Sequence, residues 1–285
     1  KKLSNSWKKI YRRFMIVKKI LKSFLEPTKL PHKINFHSRK LFYKIYYQSR
    51  YKIREFEEYQ INIFKDHGIN HSEALKKLDK IRSKFMELKL KKNLAHSEHQ
   101  TFFSGLSQKN KEIKKILEIG TFNAQNSFLL SVLFENAQIT TVDLPNETKE
   151  YKGSYKRDDD NKLRTFLEER NSRINSRKNL KLIEKNSVNL INLEDKFDLI
   201  WVDGAHFDPI VTMDIVNSLN LLNDNGLILC DDIRKSEKNA TWRSINILKQ
   251  ENIIDFSLIL KWLDPGHNAN PNFRSYISVI KKIKN

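Results

Sequence analysis

The chain has 285 residues, enough for one α/β domain of about 190 residues and an appendage. No apolar run approaches the roughly 18 residues of a membrane span, and lysines and arginines interrupt the N-terminal segment, so we expect neither a transmembrane protein nor a secretory signal. The one cysteine, Cys230, excludes an internal disulfide and fits a cytoplasmic protein. The first residue is a lysine, which leaves open whether residues precede it.

The positive charge is concentrated in the first third of the chain. Residues 1–100 contain 26 Lys and Arg against 9 Asp and Glu, whereas residues 101–285 contain 27 against 25. A codon bias would act along the whole chain, so we expect the basic region to contact an anionic partner.

Two basic helices are predicted in that region. Residues 5–25 place Trp7, Phe14 and Leu21 on one face among lysines and arginines, as in a helix that binds an anionic membrane surface. The same pattern fits a helix packed on the second domain. Residues 38–65 mix aromatics with arginines, which suits either a nucleic acid, the less favoured partner, or a core. The protein is thus expected in the cytoplasm. If residues 5–25 bind a membrane surface, it is expected to be peripheral at the membrane.

The rest of the chain alternates between helical and strand patterns. Ser72 is the expected cap of a helix after Gly68. From residue 115 onward, strands are predicted at 116–119, 138–142, 180–184, 197–202 and 226–230, with helices at about 124–135, 160–173, 209–222 and 239–251. Strands 254–262 and 273–281 should form an antiparallel hairpin, whose loop 264–272 places His267 and Asn268 over an acceptor pocket or merely in solvent. This order predicts a doubly wound, mostly parallel sheet.

The segment from Lys115 to Asp143 predicts a βαβ unit whose first turn binds a ligand. An apolar run leads into Gly120, and the second apolar run ends on Asp143, whose carboxylate can accept both hydroxyls of a ribose or can cap a turn. Phe122 stands where a dinucleotide turn needs glycine, so a nucleoside without a pyrophosphate is favoured. Glu118 lies inside the strand, where an acid either serves the ligand or has a structural partner.

This segment resembles the first two motifs of class I S-adenosylmethionine-dependent methyltransferases. Their pattern E-x-G-x-x-x-G is matched by Glu118 and Gly120, with Ala124 at the last glycine. The resemblance covers roughly residues 96–285. It implies a Rossmann-like seven-stranded sheet with its last strand antiparallel, in a domain 96–285 that follows a basic helical region 1–95. It also implies S-adenosylmethionine as cofactor, bound by Glu118, Gly120, Thr121, Phe122, Asp143, Asn186 and Ser187.

Three carboxylates are expected to meet at one edge of that sheet. Asp203 ends the fourth strand, and Asp231 and Asp232 end the fifth. Neighbouring strands lie about 4.8 Å apart, so these acids would repel each other unless a cation lay between them. An all-oxygen set favours Mg²⁺. The alternative is that Asp203 serves the cofactor and the acid pair forms a turn, without a metal.

The sequence D-G-A-H followed by a strand ending in two acids resembles metal-dependent O-methyltransferases that act on sugars and related hydroxyls. The resemblance implies that Asp203, Asp231 and Asp232 bind the metal and that His206, beside Asp203, is the catalytic base. The predicted function is methylation of a hydroxyl on a sugar, glycan precursor or similar small molecule. Two alternatives remain: an RNA methyltransferase that uses the basic region to bind RNA, and an inactive cofactor-binding relative. The acceptor and the oligomeric state are left open.

Overall fold

The computed structural model describes residues 53–85, 98–154, 159–261 and 275–283, with side chains from Glu58 onward. Eight α-helices occur in these ranges: α1 Ile53–Asp66, α2 His71–Lys84, α3 Glu98–Lys109, α4 Gln125–Leu133, α5 Lys149–Gly153, α6 Asp160–Asn175, α7 Ile210–Leu221 and α8 Ala240–Gln250. The strands are β1 Lys115–Ile119, β2 Gln138–Asp143, β3 Leu180–Glu184, β4 Phe197–Val202, β5 Leu222–Ile233, β6 Ile254–Lys261 and β7 Ser275–Lys282. A 3-10 helix, Ser187–Asn192, follows β3.

The strands form one sheet in the order β3-β2-β1-β4-β5-β7-β6. The first five strands run parallel, and β7 is antiparallel to both of its neighbours. The predicted fold class is therefore confirmed, including the reversed last strand and the terminal hairpin. The strand order reverses between β1 and β4, so the carboxyl ends of these two strands flank the crevice where ligands bind in open α/β sheets.

Each face of the sheet is covered by helices over its own apolar core. On one face Ile116 of β1 packs with residues of α1 to α4, and on the other Leu117 packs with residues of α7 and α8. This alternation follows from the two-residue period of a strand. Since both faces are buried, the central strand β4 reads as a nearly continuous apolar run, FDLIWV.

Helices α1 and α2 contribute to the first of these cores. Phe64 and Leu78 belong to the same apolar cluster as sheet residues. The hydroxyl of Tyr59 donates to the carbonyl of Leu258 in β6 (2.7 Å), and Gln60 Nε2 donates to that of Leu260 (3.0 Å). The compact unit around the sheet comprises residues 59–262 and 275–285. The boundary predicted between residues 95 and 96 falls outside the described ranges and stays a prediction.

Some local predictions were wrong or fall outside the described ranges. The side chain that caps α2 is Asn70, which accepts from the amide of Glu73, and not Ser72. Helix α3 was not predicted. The proposed anchor at residues 5–25 and the loop 264–272 both lie outside the described residues. None of the helices in the described part of the chain is long and apolar enough to span a bilayer.

Candidate active site

The turn after β1 contacts the loop after β4 backbone to backbone. Gly120 adopts φ +100°, and a Cβ placed there would lie 2.3 Å from the carbonyl oxygen of Asp203 and 2.8 Å from Cα of Gly204. Only glycine allows this approach. Ala124, the residue before α4, also has positive φ (60°), a conformation that glycine adopts more readily than alanine. The turn predicted to bind the cofactor and the loop carrying Asp203 thus form one continuous surface.

Glu118 is buried and supports this turn from beneath. Its carboxylate accepts hydrogen bonds from Asn126 Nδ2 (2.8 Å), Thr141 Oγ1 (2.6 Å) and the hydroxyl of Ser127. The side chain is 1% exposed, and burial raises its pKa to about 7 although the three hydrogen bonds oppose the rise. Glu118 therefore has the structural partners that the sequence allowed as an alternative, and it joins β1 to β2 and to the start of α4. Direct contact with a cofactor stays a prediction.

Asp143 ends β2 beside the same turn. Its Oδ2 accepts from the amide of Phe122 (3.1 Å) and its Oδ1 from the amide of Leu144 (2.9 Å). A carboxylate has about four acceptor positions, so ribose hydroxyls can bind alongside these amides. Thr121, by contrast, is buried and hydrogen-bonds Thr141 (2.7 Å), so its side chain stabilises the turn. Phe122 keeps 43% of its surface exposed next to Asp143. Gly120, Phe122 and Asp143 fit a bound nucleoside.

Asn186 and Ser187 follow β3, as predicted, and their observed contacts are with the 3-10 helix and with α7. The Asn186 side chain accepts from the amide of Val188 (3.0 Å) and so caps the 3-10 helix. The carbonyl of Ser187 accepts from Nδ2 of Asn217 in α7 (3.0 Å). Asp214 lies in α7, one turn before Asn217, and the sequence analysis did not identify it as a site residue. It is fully buried, and burial raises its pKa to about 6.

A β-bulge sets the direction of the acid pair. Cys230 pairs with Ser278 and Ile233 pairs with Tyr276, so β5 carries one residue more than β7 between these pairs. Asp232 sits in this irregularity with φ +53°. In a regular strand, successive side chains point to opposite faces. The bulge instead allows Asp231 and Asp232 to reach the same nitrogen atom, the ammonium of Lys261.

Lys261, the last residue of β6, bridges the two acids. Its Nζ donates to Asp231 Oδ2 (2.6 Å) and Asp232 Oδ1 (3.1 Å), and lies 2.5 Å from Asp231 Oδ1. Both β5 and β6 are antiparallel to β7, so they run parallel and end at the same edge of the sheet. Lys261 is 6% exposed and Asp231 8%. Although burial lowers it, the two carboxylates raise the pKa of Lys261 above its ordinary value.

His206 lies between a carboxylate oxygen of Asp203 and the oxygen of Asp232 that does not contact Lys261. Its Nε2 is 3.6 Å from Asp203 Oδ1 and 3.8 Å from Asp232 Oδ2, and its side chain is 36% exposed. Burial and the nearby carboxylate of Asp231 raise the pKa of Asp203 well above the usual value, whereas the Lys261 ammonium and His206 outweigh burial and lower that of Asp232. The accessible imidazole can take a proton from a bound hydroxyl, and two acids stabilise the imidazolium that forms.

The predicted metal site does not fit this arrangement. The carboxylates of Asp231 and Asp232 meet at an ammonium, and Asp231 is almost completely enclosed with it. Within the described ranges, no three His, Cys, Asp or Glu side chains are arranged as metal ligands. The sequence analysis expected a divalent metal ion among these acids and did not identify Lys261. A lysine inside the apolar run LILKWL was the available signal, because buried lysines are almost always paired.

A family model matches the central part of the chain. Residues 117–233 match the model of a family described as a methyltransferase domain. This segment runs from β1 to the end of β5 and includes Gly120, Asp143, His206 and the acid pair. The match is limited to this segment and agrees with the expected resemblance to methyltransferases. No curated protein sequence matches the chain.

Solved structures with a similar fold include methyltransferases of different acceptor types. A putative O-methyltransferase from Klebsiella pneumoniae is 15% identical (73% of this chain, 90% of that one, TM-score 0.45). An O-methyltransferase from Bacillus cereus, in complex with S-adenosylhomocysteine, is 14% identical (73% and 91%, TM-score 0.45). An N-methyltransferase from Bradyrhizobium japonicum is 14% identical (68% and 100%, TM-score 0.49). At these scores the neighbours assign neither the acceptor nor a metal.

Proposed function

We propose that this protein is an S-adenosylmethionine-dependent O-methyltransferase that acts on a hydroxyl of a sugar, glycan precursor or similar small molecule. One observation carries the proposal: the turn at Gly120 touches the backbone of Asp203, so a nucleoside on this turn lies next to the cluster of His206, Asp203 and Asp232. A methyl donor and a proton acceptor would then meet at one point of the crevice.

The residues divide the work between binding and proton transfer. Asp143 holds the ribose, and the exposed ring of Phe122 lies beside it. The cofactor supplies an electrophilic methyl group on sulfur. His206 Nε2 would accept the proton of the acceptor hydroxyl, and Asp203 and Asp232 would stabilise the positive charge on the imidazole. By holding the cofactor turn beside His206, the contact between Gly120 and Asp203 would position the two reactants, and positioning supplies much of the rate in reactions between two bound groups.

A methyl-transfer screen with labelled cofactor tests the acceptor class. Glycans, small phenols and total RNA serve as acceptors, each with and without Mg²⁺. Label in a glycan or phenol supports the proposal, and label in RNA alone would replace it with the RNA methyltransferase. If S-adenosylhomocysteine binds but no acceptor is labelled, the inactive relative is favoured.

Replacing His206 tests the assignment of the base. His206→Ala should lower turnover by about 10²–10⁴-fold while S-adenosylhomocysteine still binds. His67→Ala is the matched control, because His67 hydrogen-bonds Ser257, four residues before the end of β6, and should leave turnover unchanged. A loss smaller than about tenfold in His206→Ala would show that the proton leaves by another route.

The basic region suggests a further part of this proposal. The positive charge of residues 1–100 supports an anionic membrane surface as partner, where a lipid-linked glycan acceptor would be found. Sedimentation with anionic liposomes, compared between the full chain and a variant lacking residues 1–30, measures this. Retained binding in the truncated chain would rule out residues 5–25 as the anchor.

A further inference from the structure

The acidic cluster is built around an internal cation. Asp231 and Asp232 both reach Nζ of Lys261, at 2.5–2.6 Å and 3.1 Å. Two features bring both carboxylates to the Lys261 ammonium: the bulge at Asp232 and the parallel direction of β5 and β6. A lysine buried to this extent requires such partners, since an unpaired charge in the interior is strongly destabilising.

The ammonium lies where a divalent ion would have to bind. Mg²⁺ needs carboxylate oxygens at about 2.0–2.1 Å in octahedral geometry. To bind Asp231, it would have to displace Nζ, which lies within 2.6 Å of both oxygens of that carboxylate, and would deprive a buried lysine of its closest partner. Lys261 also fixes Asp232 through Oδ1, so that Oδ2 lies 3.8 Å from His206. The lysine therefore orients the acid that faces the proposed base.

We propose that Lys261 is a positioning residue that takes the place of a divalent cation in this site. Its ammonium neutralises the acid pair and holds Asp232 toward His206, so that methyl transfer to the hydroxyl needs no added metal. The inference rests on the proposed function for its catalytic part. Its structural part, a cluster closed to metal by a lysine, stands independently of the acceptor.

Binding of Mn²⁺, measured by electron paramagnetic resonance in the presence of S-adenosylhomocysteine, tests the structural part. The wild-type protein should leave Mn²⁺ unbound. Lys261→Met keeps the apolar stem but removes the ammonium, so it should bind Mn²⁺ at least about tenfold more tightly. Lys249→Met is the control: Lys249 pairs with exposed Asp255 and should leave Mn²⁺ binding as in the wild type. Stoichiometric binding of Mn²⁺ to the wild type would overturn the proposal.

Turnover with and without EDTA tests the catalytic part. The wild-type rate should be unchanged by chelation. In Lys261→Met the turnover rate should fall by roughly 10–100-fold, although the variant should still bind S-adenosylhomocysteine. Lys261→Arg should retain part of the wild-type rate. Loss of wild-type activity in EDTA and recovery with Mg²⁺ would refute the role of Lys261. If Lys261→Met does not fold, the wild type and Lys261→Arg still decide the question by Mn²⁺ binding. Absence of any methyl transfer contradicts the proposed function but leaves the Mn²⁺ result valid.

Discussion

Replacing Glu118 with glutamine should remove the pH dependence of stability that the Glu118 carboxyl causes. This carboxyl lies beneath the turn at Gly120. Glu118 is buried on β1 and accepts hydrogen bonds from three side chains. Burial raises its pKa from 4.5 to about 7. Glutamine has nearly the same shape but does not titrate, so the pair of proteins isolates this one carboxyl group.

Whether the protein gains or loses stability as the pH rises depends on which state, folded or unfolded, binds the proton of Glu118 more tightly. Between pH 4.5 and 7 the folded protein keeps a proton on Glu118 that the unfolded chain has already released. Stability from this group is therefore full below pH 4.5 and is lost as the pH rises to about 7. The difference between the two pKa values corresponds to about 3 kcal/mol. Glutamine also places an NH₂ group among donors, which adds an offset that does not change with pH.

Urea denaturation at several pH values between 4 and 8 measures the effect. Trp201, which is buried and pairs in register with Glu118, should report unfolding by fluorescence. The free energy of unfolding of the wild type, minus that of Glu118→Gln, should fall by about 3 kcal/mol across this range. A difference that stays constant would show that Glu118 titrates at its ordinary pKa, and the effect assigned to its burial would be wrong.

Three further substitutions test the turn, the helix cap and the ribose site. Gly120→Ala should destabilise the fold by about 2–4 kcal/mol in urea denaturation, because its Cβ meets backbone at 2.3 Å, whereas Gly153→Ala, with nothing within 4 Å, should be neutral. Equal effects would remove the steric argument. Asn70→Ala should cost about 1 kcal/mol and Ser72→Ala less than about 0.5 kcal/mol; the reverse order would restore Ser72 as the cap. Asp143→Ala should weaken S-adenosylhomocysteine binding in calorimetry by about 1.5–3 kcal/mol, and unchanged affinity would exclude Asp143 as the ribose acceptor.

The sequence determined the order and type of most elements around the sheet. Apolar runs of strand length, separated by helical patterns, predicted every strand of the sheet, with ends that differ mainly at β5. The same runs placed Asp143, Asp203 and Asp231 at carboxyl ends, because a polar residue that follows a buried strand marks its end. Local periodicity is sufficient for this, since it depends on residues close together in the chain.

Helix α3 and the cap of α2 show where local patterns were insufficient. In α3 the buried residues Thr101 to Leu106 are consecutive, so no amphipathic period marks the helix. Both Asn70 and Ser72 are good capping residues, and the backbone conformation at Asn70 decided between them.

The partners of the buried charges were decided by tertiary structure alone. Glu118 meets Thr141 because β1 and β2 are adjacent in register. Lys261 meets Asp231, 30 residues away, because β7 lies between two parallel strands and a bulge turns Asp232 toward the same ammonium. A sequence shows that a buried charge requires a partner, but the partner's identity depends on strand order and register. Those follow from the packing of the whole sheet. For this reason the sequence showed that the acidic cluster needs a positive partner, for which it suggested a metal ion, but it did not identify Lys261.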